Sequence, residues 1–261
     1  RVAARCRHFG PDAEPGVGPC GGCSWQHIAY PEQLRLKTAR IERLLAAARV
    51  PARVLPMKAA TPLNAPWGFR QKVHFHVAGG VRPGPPLHLG HYARGSRRVV
   101  PVQDCPVHDP RGNAIAFAAC RTFKRAKVQA EGERSRGVLQ ALAVRVARGS
   151  EEAQVTVVAG GESDPTLRSA TRAFIGASPE ATAFHLNVHP DDDGFIFGPN
   201  TRRLAGPERL RERVLDTDYL VSPTAFFQTN VAAAELLVRE VLRQIPAPPD
   251  RKSTRLNSSH T

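Results

Sequence analysis

Four cysteines carry the most chemistry in this chain: Cys6, Cys20, Cys23 and, after an interval of 81 residues, Cys105, which is followed by Pro106. Cys20-Gly21-Gly22-Cys23 is a tight two-thiol clip. Its glycines let the backbone turn so that both sulfurs face one centre. Cys6 can add a third thiolate across thirteen intervening residues, and Cys105 a fourth. Four thiolates suit a tetrahedral zinc site or an iron–sulfur cluster. A Cys-x2-Cys pair alone does not choose between them. Cys120 lies in an Ala-rich helical pattern and reads as core, because a free thiol packs like a small hydrophobe.

A sheet must return Cys105 to the N-terminal thiols. Residues 1–29 read as loop and 31–48 as a helix, with Pro31 in its first turn and Leu34, Ile41, Leu44, Leu45 and Ala48 at helical spacing. Residues 70–77 alternate: Val73, Phe75 and Val77 on one face, Lys72, His74 and His76 on the other. Period two with one apolar face predicts a half-buried strand, with Arg70 beside its open face. His74 and His76 have a metal-capable spacing, but the cysteines already form a full ligand set. Strands at 87–92 and 97–102, turning at Arg94-Gly95-Ser96, deliver the chain to Cys105. Asn113 is the expected cap of a basic-ended helix to about 128. Further strands are expected at 139–146, 154–159, 183–188 and 195–198, and helices after Asp164-Pro165 and over 230–245. Asp191-Asp192-Asp193-Gly194 reads as an acidic turn that lacks a full calcium loop.

The residues around the thiols are specific: Cys6-x-His8-Phe9-Gly10, then Cys20-Gly-Gly-Cys23-Ser-Trp-Gln26-His27, then Tyr30, Gln33, Leu34 and Lys37, and later Val102-Gln-Asp-Cys105-Pro106-Val107. Near the end stands Ser222-Pro223-Thr-Ala-Phe226-Phe227-Gln228-Thr229-Asn230. In order and separation these resemble the RNA uridine C5-methyltransferases that carry a 4Fe–4S cluster, the branch acting on 23S ribosomal RNA. The resemblance covers most of residues 1–245. It implies that Cys6, Cys20, Cys23 and Cys105 hold a 4Fe–4S cluster, that Gln228 contacts S-adenosylmethionine, and that Arg70 or Lys72 contacts RNA. The chain departs from the family in a longer Pro/Gly-rich loop at 11–19, which closure entropy tolerates because it grows only logarithmically with length.

The family's glycine loop, nucleophilic cysteine and base would follow the final helix, and no cysteine stands after Cys120. The expectation is an enzyme by family and a fragment inactive by itself, with no catalytic residue of its own. Residues 250–260 back-translate to a sequencing adapter, so 250–261 is read as a non-native tail.

The net charge is +14; that tail supplies +2. The remaining excess suits a polyanionic partner, since cationic side chains release counterions from phosphates. Arginines number 31 against 6 lysines, a pattern that codon bias in a GC-rich genome also produces. No apolar run reaches the length of a membrane span. Clustered cysteines outside a small disulfide scaffold point to a reducing cytoplasm.

The expected architecture is α+β. An iron–sulfur segment and helix occupy 1–50, and a mostly antiparallel RNA-binding domain occupies 51–215. The start of a Rossmann-like methyltransferase domain covers 216–249, with residues after about 220 poorly supported. The protein is expected to be a monomer. The expected function is methylation of a uridine C5 in RNA from S-adenosylmethionine, with large-subunit ribosomal RNA as substrate. The alternative is a non-catalytic RNA-binding module stapled by zinc or a cluster.

Overall fold

The structure, a computed structural model, describes residues 1–10, 19–80, 85–132, 135–136, 138–190 and 194–245. Residues 11–18 of the loop expected at 11–19, the acidic residues Asp191, Asp192 and Asp193, and the tail at 250–261 lie outside the described residues. The elements run α1 (Tyr30–Ala47), β1 (Lys72–Ala78), β2 (His88–Tyr92), β3 (Val99–Pro101), α2 (Pro110–Arg125), β4 (Glu131–Gly132), β5 (Ser135–Arg136), β6 (Leu139–Val146), β7 (Ala153–Ala159), α3 (Pro165–Gly176), β8 (Ala183–Val188), β9 (Asn200–Ala205), β10 (Leu210–Val214), β11 (Thr217–Val221) and α4 (Val231–Gln244).

A seven-stranded sheet orders them β3-β2-β1-β6-β7-β8-β9. Every neighbouring pair is antiparallel except β7–β8, where α3 makes the crossover that parallel strands require. The class is therefore α+β with a mostly antiparallel, mixed sheet, as the sequence led one to expect. Two short hairpins, β4–β5 and β10–β11, stand apart from it. The expected boundary at 215/216 falls at the turn of the second.

The alternation in β1 sends Val73, Phe75 and Val77 toward α2 and α3. There they join Ile115, Phe123, Leu142, Val144, Val155, Phe174 and Leu186 in one core. Each of these helices opens on an aspartate cap followed by proline: Asp109-Pro110 and Asp164-Pro165. The carboxylates accept from Arg111 and Leu167 backbone N–H groups, satisfying donors a helix start leaves free. Asn113 is thus inside α2 and not its cap.

The half-buried reading of β1 holds for His74 and His76, which stay partly exposed, but not for Lys72, and the rest of this face of the sheet is covered. Lys72, Arg145, Gln154, Thr156, His185 and Asn187 alternate with the core residues, yet all are buried. The chain after β8 crosses this face, and its irregular backbone needs donors, because a buried carbonyl without one is costly. The sheet supplies them. Lys72 Nζ donates to Pro223 O (3.0 Å), Arg145 Nη2 to Ala225 O (3.2 Å), and Asn187 Nδ2 to Gly198 O (2.9 Å). Residues 195–198, expected as a strand, lie in this crossing instead, and the edge strand is β9. The support for residues after 220 is therefore uneven. Val221 and Val231 are buried, while Leu237, Val241, Leu242 and Ile245 along α4 are exposed. The apolar positions of α1 likewise find no core: none of its residues is buried. Among the described residues, no helix is long and apolar enough to cross a membrane.

Candidate metal centre and cofactor segment

Cys6, Cys20, Cys23 and Cys105 line one cavity of about 40 Å³, together with His8, Phe9, Gln26, Arg70, His91 and Asp104. All four thiols are free. Backbone hydrogen bonds build the N-terminal side: Cys6 N–H donates to Gln26 Oε1 (3.1 Å) and Cys20 N–H to His8 O (2.8 Å). The clip is tied to β2, where Gly21 N–H donates to Tyr92 O at 2.9 Å. A Cβ on Gly21 would stand 2.8 Å from that oxygen, whereas one on Gly22 would meet only Cys20 Sγ at 3.5 Å. The first glycine thus serves close approach to β2, and neither of the pair adopts a positive φ. Gly22 N–H points at Cys20 Sγ (3.4 Å).

Cys105 reaches the cavity because β3 ends beside it and α2 begins just after. Asn113 holds it from both sides, accepting from Cys105 N–H (3.3 Å) and donating to Cys105 O (2.9 Å). The sequence flagged Asn113 only as a cap. A side-chain amide three residues after a Cys-Pro-x-x-Asp-Pro opening was the missed signal.

Burial raises the Cys6 and Cys20 thiols above their ordinary range and pushes Cys105 up to about 11. Neighbouring thiols add to the effect on all three, while backbone N–H groups oppose it. A set of mutually repelling buried thiolates is what a bound cation reverses. Among the described residues, no three His, Cys, Asp or Glu side chains are grouped as a ready single-ion site. In donor type four thiols suit an iron–sulfur cluster or one tetrahedral zinc alike.

Arg70 lines the same cavity and is half-buried. The next two residues grip the 222–230 segment. Gln71 N–H donates to Thr229 O at 2.7 Å, and Lys72 donates to Pro223 O. Lys72 is only 8% exposed and its ammonium also lies over the Phe197 ring (4.8 Å). Burial, then the Arg145 charge, lowers it to about 7. It faces the crossing chain and not solvent. Arg145, unremarked in the sequence, lies over Phe227 at 5.8 Å. Gln228 itself is exposed on the segment these residues hold.

No protein-family model matches the chain. It is 30% identical over 238 residues to an uncharacterized RNA methyltransferase of Gloeobacter violaceus, covering 91% of this chain and 51% of that protein. It is 28% identical over 243 residues to an uncharacterized RNA methyltransferase of Listeria innocua, covering 92% and 51%. The chain spans about half the length of these curated relatives. Its structure is similar to the crystal structure of the Pyrococcus abyssi tRNA (uracil-54, C5)-methyltransferase in complex with S-adenosyl-L-homocysteine. The TM-score is 0.69 at 24% identity, over 90% of this chain and 53% of that one. The chain is therefore a relative, over nine-tenths of its length, of proteins named RNA methyltransferases, and it shares the fold of 53% of a methyltransferase chain of known structure.

Proposed function

We propose that the protein carrying this chain transfers a methyl group from S-adenosylmethionine to C5 of a uridine in RNA, with large-subunit 23S ribosomal RNA as its substrate. The observation that carries this reading is the similarity of nine-tenths of the chain to proteins named RNA methyltransferases. The 222–230 segment, held against the sheet by Gln71, Lys72 and Arg145, supports it. In this reading Gln228 meets S-adenosylmethionine from that segment. Uracil C5 is a weak nucleophile, so a thiolate adds to C6 first, C5 takes the methyl group, and a base then removes the C5 proton as the C6–S bond breaks and the thiolate leaves; neither group is assigned to a residue of this chain. The target base leaves its stack to reach such a pocket.

Cys6, Cys20, Cys23 and Cys105 hold a 4Fe–4S cluster in the same reading, and Arg70 beside it contacts RNA phosphate. When bound, the cluster supplies a rigid staple between the N-terminal loop and the sheet. What supports it is four thiols around one cavity. The choice of ribosomal RNA follows from the cluster, which distinguishes that branch of the resemblance. We place the protein in a reducing cytoplasm, as a monomer.

The test is mass spectrometry of nucleosides from separated ribosomal and transfer RNA of cells with and without the intact gene. Loss of one 5-methyluridine from large-subunit RNA, restored by the gene and not by its Gln228→Ala form, is the expected result. Unchanged 5-methyluridine in both RNA classes rejects the function, and loss from transfer RNA alone rejects the substrate.

A further inference from the structure

The β2–β3 connection is an exposed basic turn: Arg94, Gly95, Ser96, Arg97 and Arg98 all face solvent. At its base Tyr92, 38% exposed, stacks on His76 of β1, with ring centroids 3.7 Å apart and planes 19° apart. Burial, then the Arg97 charge, lowers the His76 pKa below its ordinary value, which favours the neutral imidazole behind the phenol. The turn lies directly on the thiol clip. Cys20 and Ala93 form an antiparallel bridge, Gly21 bonds Tyr92 O, and Arg94 Nη2 donates to Ser24 Oγ at 3.2 Å.

A partly exposed aromatic ring at the base of an arginine-bearing turn has the chemistry of single-strand recognition. Unstacked bases lie on the ring and cations hold the flanking phosphates. A solvated charge run needs no exposed aromatic stack at its centre, and an acidic peptide makes no use of one. We propose that Tyr92, backed by His76 and flanked by Arg94, Arg97 and Arg98, is a stacking platform for an unpaired base of the RNA, next to the thiol-lined cavity. The platform rests on the RNA reading above and acts in binding, not in methyl transfer.

The test uses the full chain and an RNA stem-loop carrying 2-aminopurine at each loop position in turn, followed by fluorescence and anisotropy. The wild-type chain quenches the probe at one or two positions, and Tyr92→Phe keeps both quenching and affinity. Tyr92→Leu retains apolar bulk and an unchanged melting temperature, yet loses the quenching and binds about five- to a hundredfold more weakly. Arg94→Gln keeps the quenching and lowers the salt slope by about one. If Tyr92→Leu binds and quenches like wild type, the platform is rejected while RNA binding stands. If the wild-type chain binds no RNA at any loop position, both readings fall together.

Discussion

Lys72 and Arg145 are register partners across β1 and β6, two buried cations side by side on the same face of the sheet. Each donates to a carbonyl of the crossing chain, Pro223 O and Ala225 O. The acid that acts on Arg145 is Glu212, itself fully buried and engaged by the Arg148 N–H. Like charges in a poorly solvated place repel, so the pair is kept for the chain it holds. Arg145→Leu leaves a buried carbonyl without its donor and costs about 1–3 kcal/mol. The cost grows in a Lys72→Met background, where Arg145 no longer suffers the repulsion. Urea denaturation of the double-mutant cycle measures this; additivity within about 0.5 kcal/mol rejects the coupling.

Stability should depend on pH through the same lysine. Lys72 is lowered to about 7 in the folded chain against an ordinary 10.5. Between those values the unfolded chain binds more protons, so stability rises with pH from about 7 to 10.5 and the penalty is complete below 7. His74, lowered to about 3 chiefly by burial, adds a rise of the same sign between there and its ordinary 6.5. Lys72→Met should flatten the upper limb and, because the Lys72 charge also lowers His74, shrink the lower one without removing it. Denaturation midpoints at half-unit pH intervals distinguish the two limbs.

Metal content tests the four thiols. Anaerobically purified protein should contain iron and acid-labile sulfide near about four of each per chain. About one zinc per chain and no sulfide selects the single-ion alternative. Cys20→Ser should abolish loading. Asn113→Ala should lower it without touching a sulfur, because Cys105 N–H and C=O both lose their partner. Full loading in Asn113→Ala shows that Pro106 and α2 position Cys105 without the amide.

The two glycines of the clip should behave differently. Gly21→Ala drives a methyl into Tyr92 O, an immovable strand carbonyl, and should lower both metal loading and melting temperature. Gly22→Ala meets only a side-chain sulfur at ordinary contact distance and should be tolerated. Equal effects at the two positions would show that turn flexibility, and not approach to β2, selects glycine here.

Periodicity located β6 and β8 to the residue, because both carry β-branched and apolar runs between turn signals. It also gave the core face of β1. It misjudged the opposite face, since a polar residue every second position looks the same whether water or a crossing backbone receives its hydrogen bonds. β9 was missed because Asn200-Thr-Arg-Arg-Leu-Ala is an exposed edge with no apolar alternation. β10 was missed because its inward positions are Leu210, Glu212 and Val214, a buried carboxylate interrupting the pattern. The four thiols were legible from their neighbours in the sequence. Asn113, Arg145 and the Tyr92–His76 stack were not, since each acts on a residue remote in the chain.

The meeting of the thiols around one cavity also fixes an order of assembly. Three of them precede β1 in the chain, and the fourth follows β3, which pairs with β2 as β2 pairs with β1. Closing the span from Cys6 to Cys105 costs chain entropy that the sheet must already have offset. The N-terminal loop is therefore the last part of the sheet's surroundings to settle, and a newly made chain exposes its thiols until it does. Thiols left open in this way are the ones that oxidation reaches first.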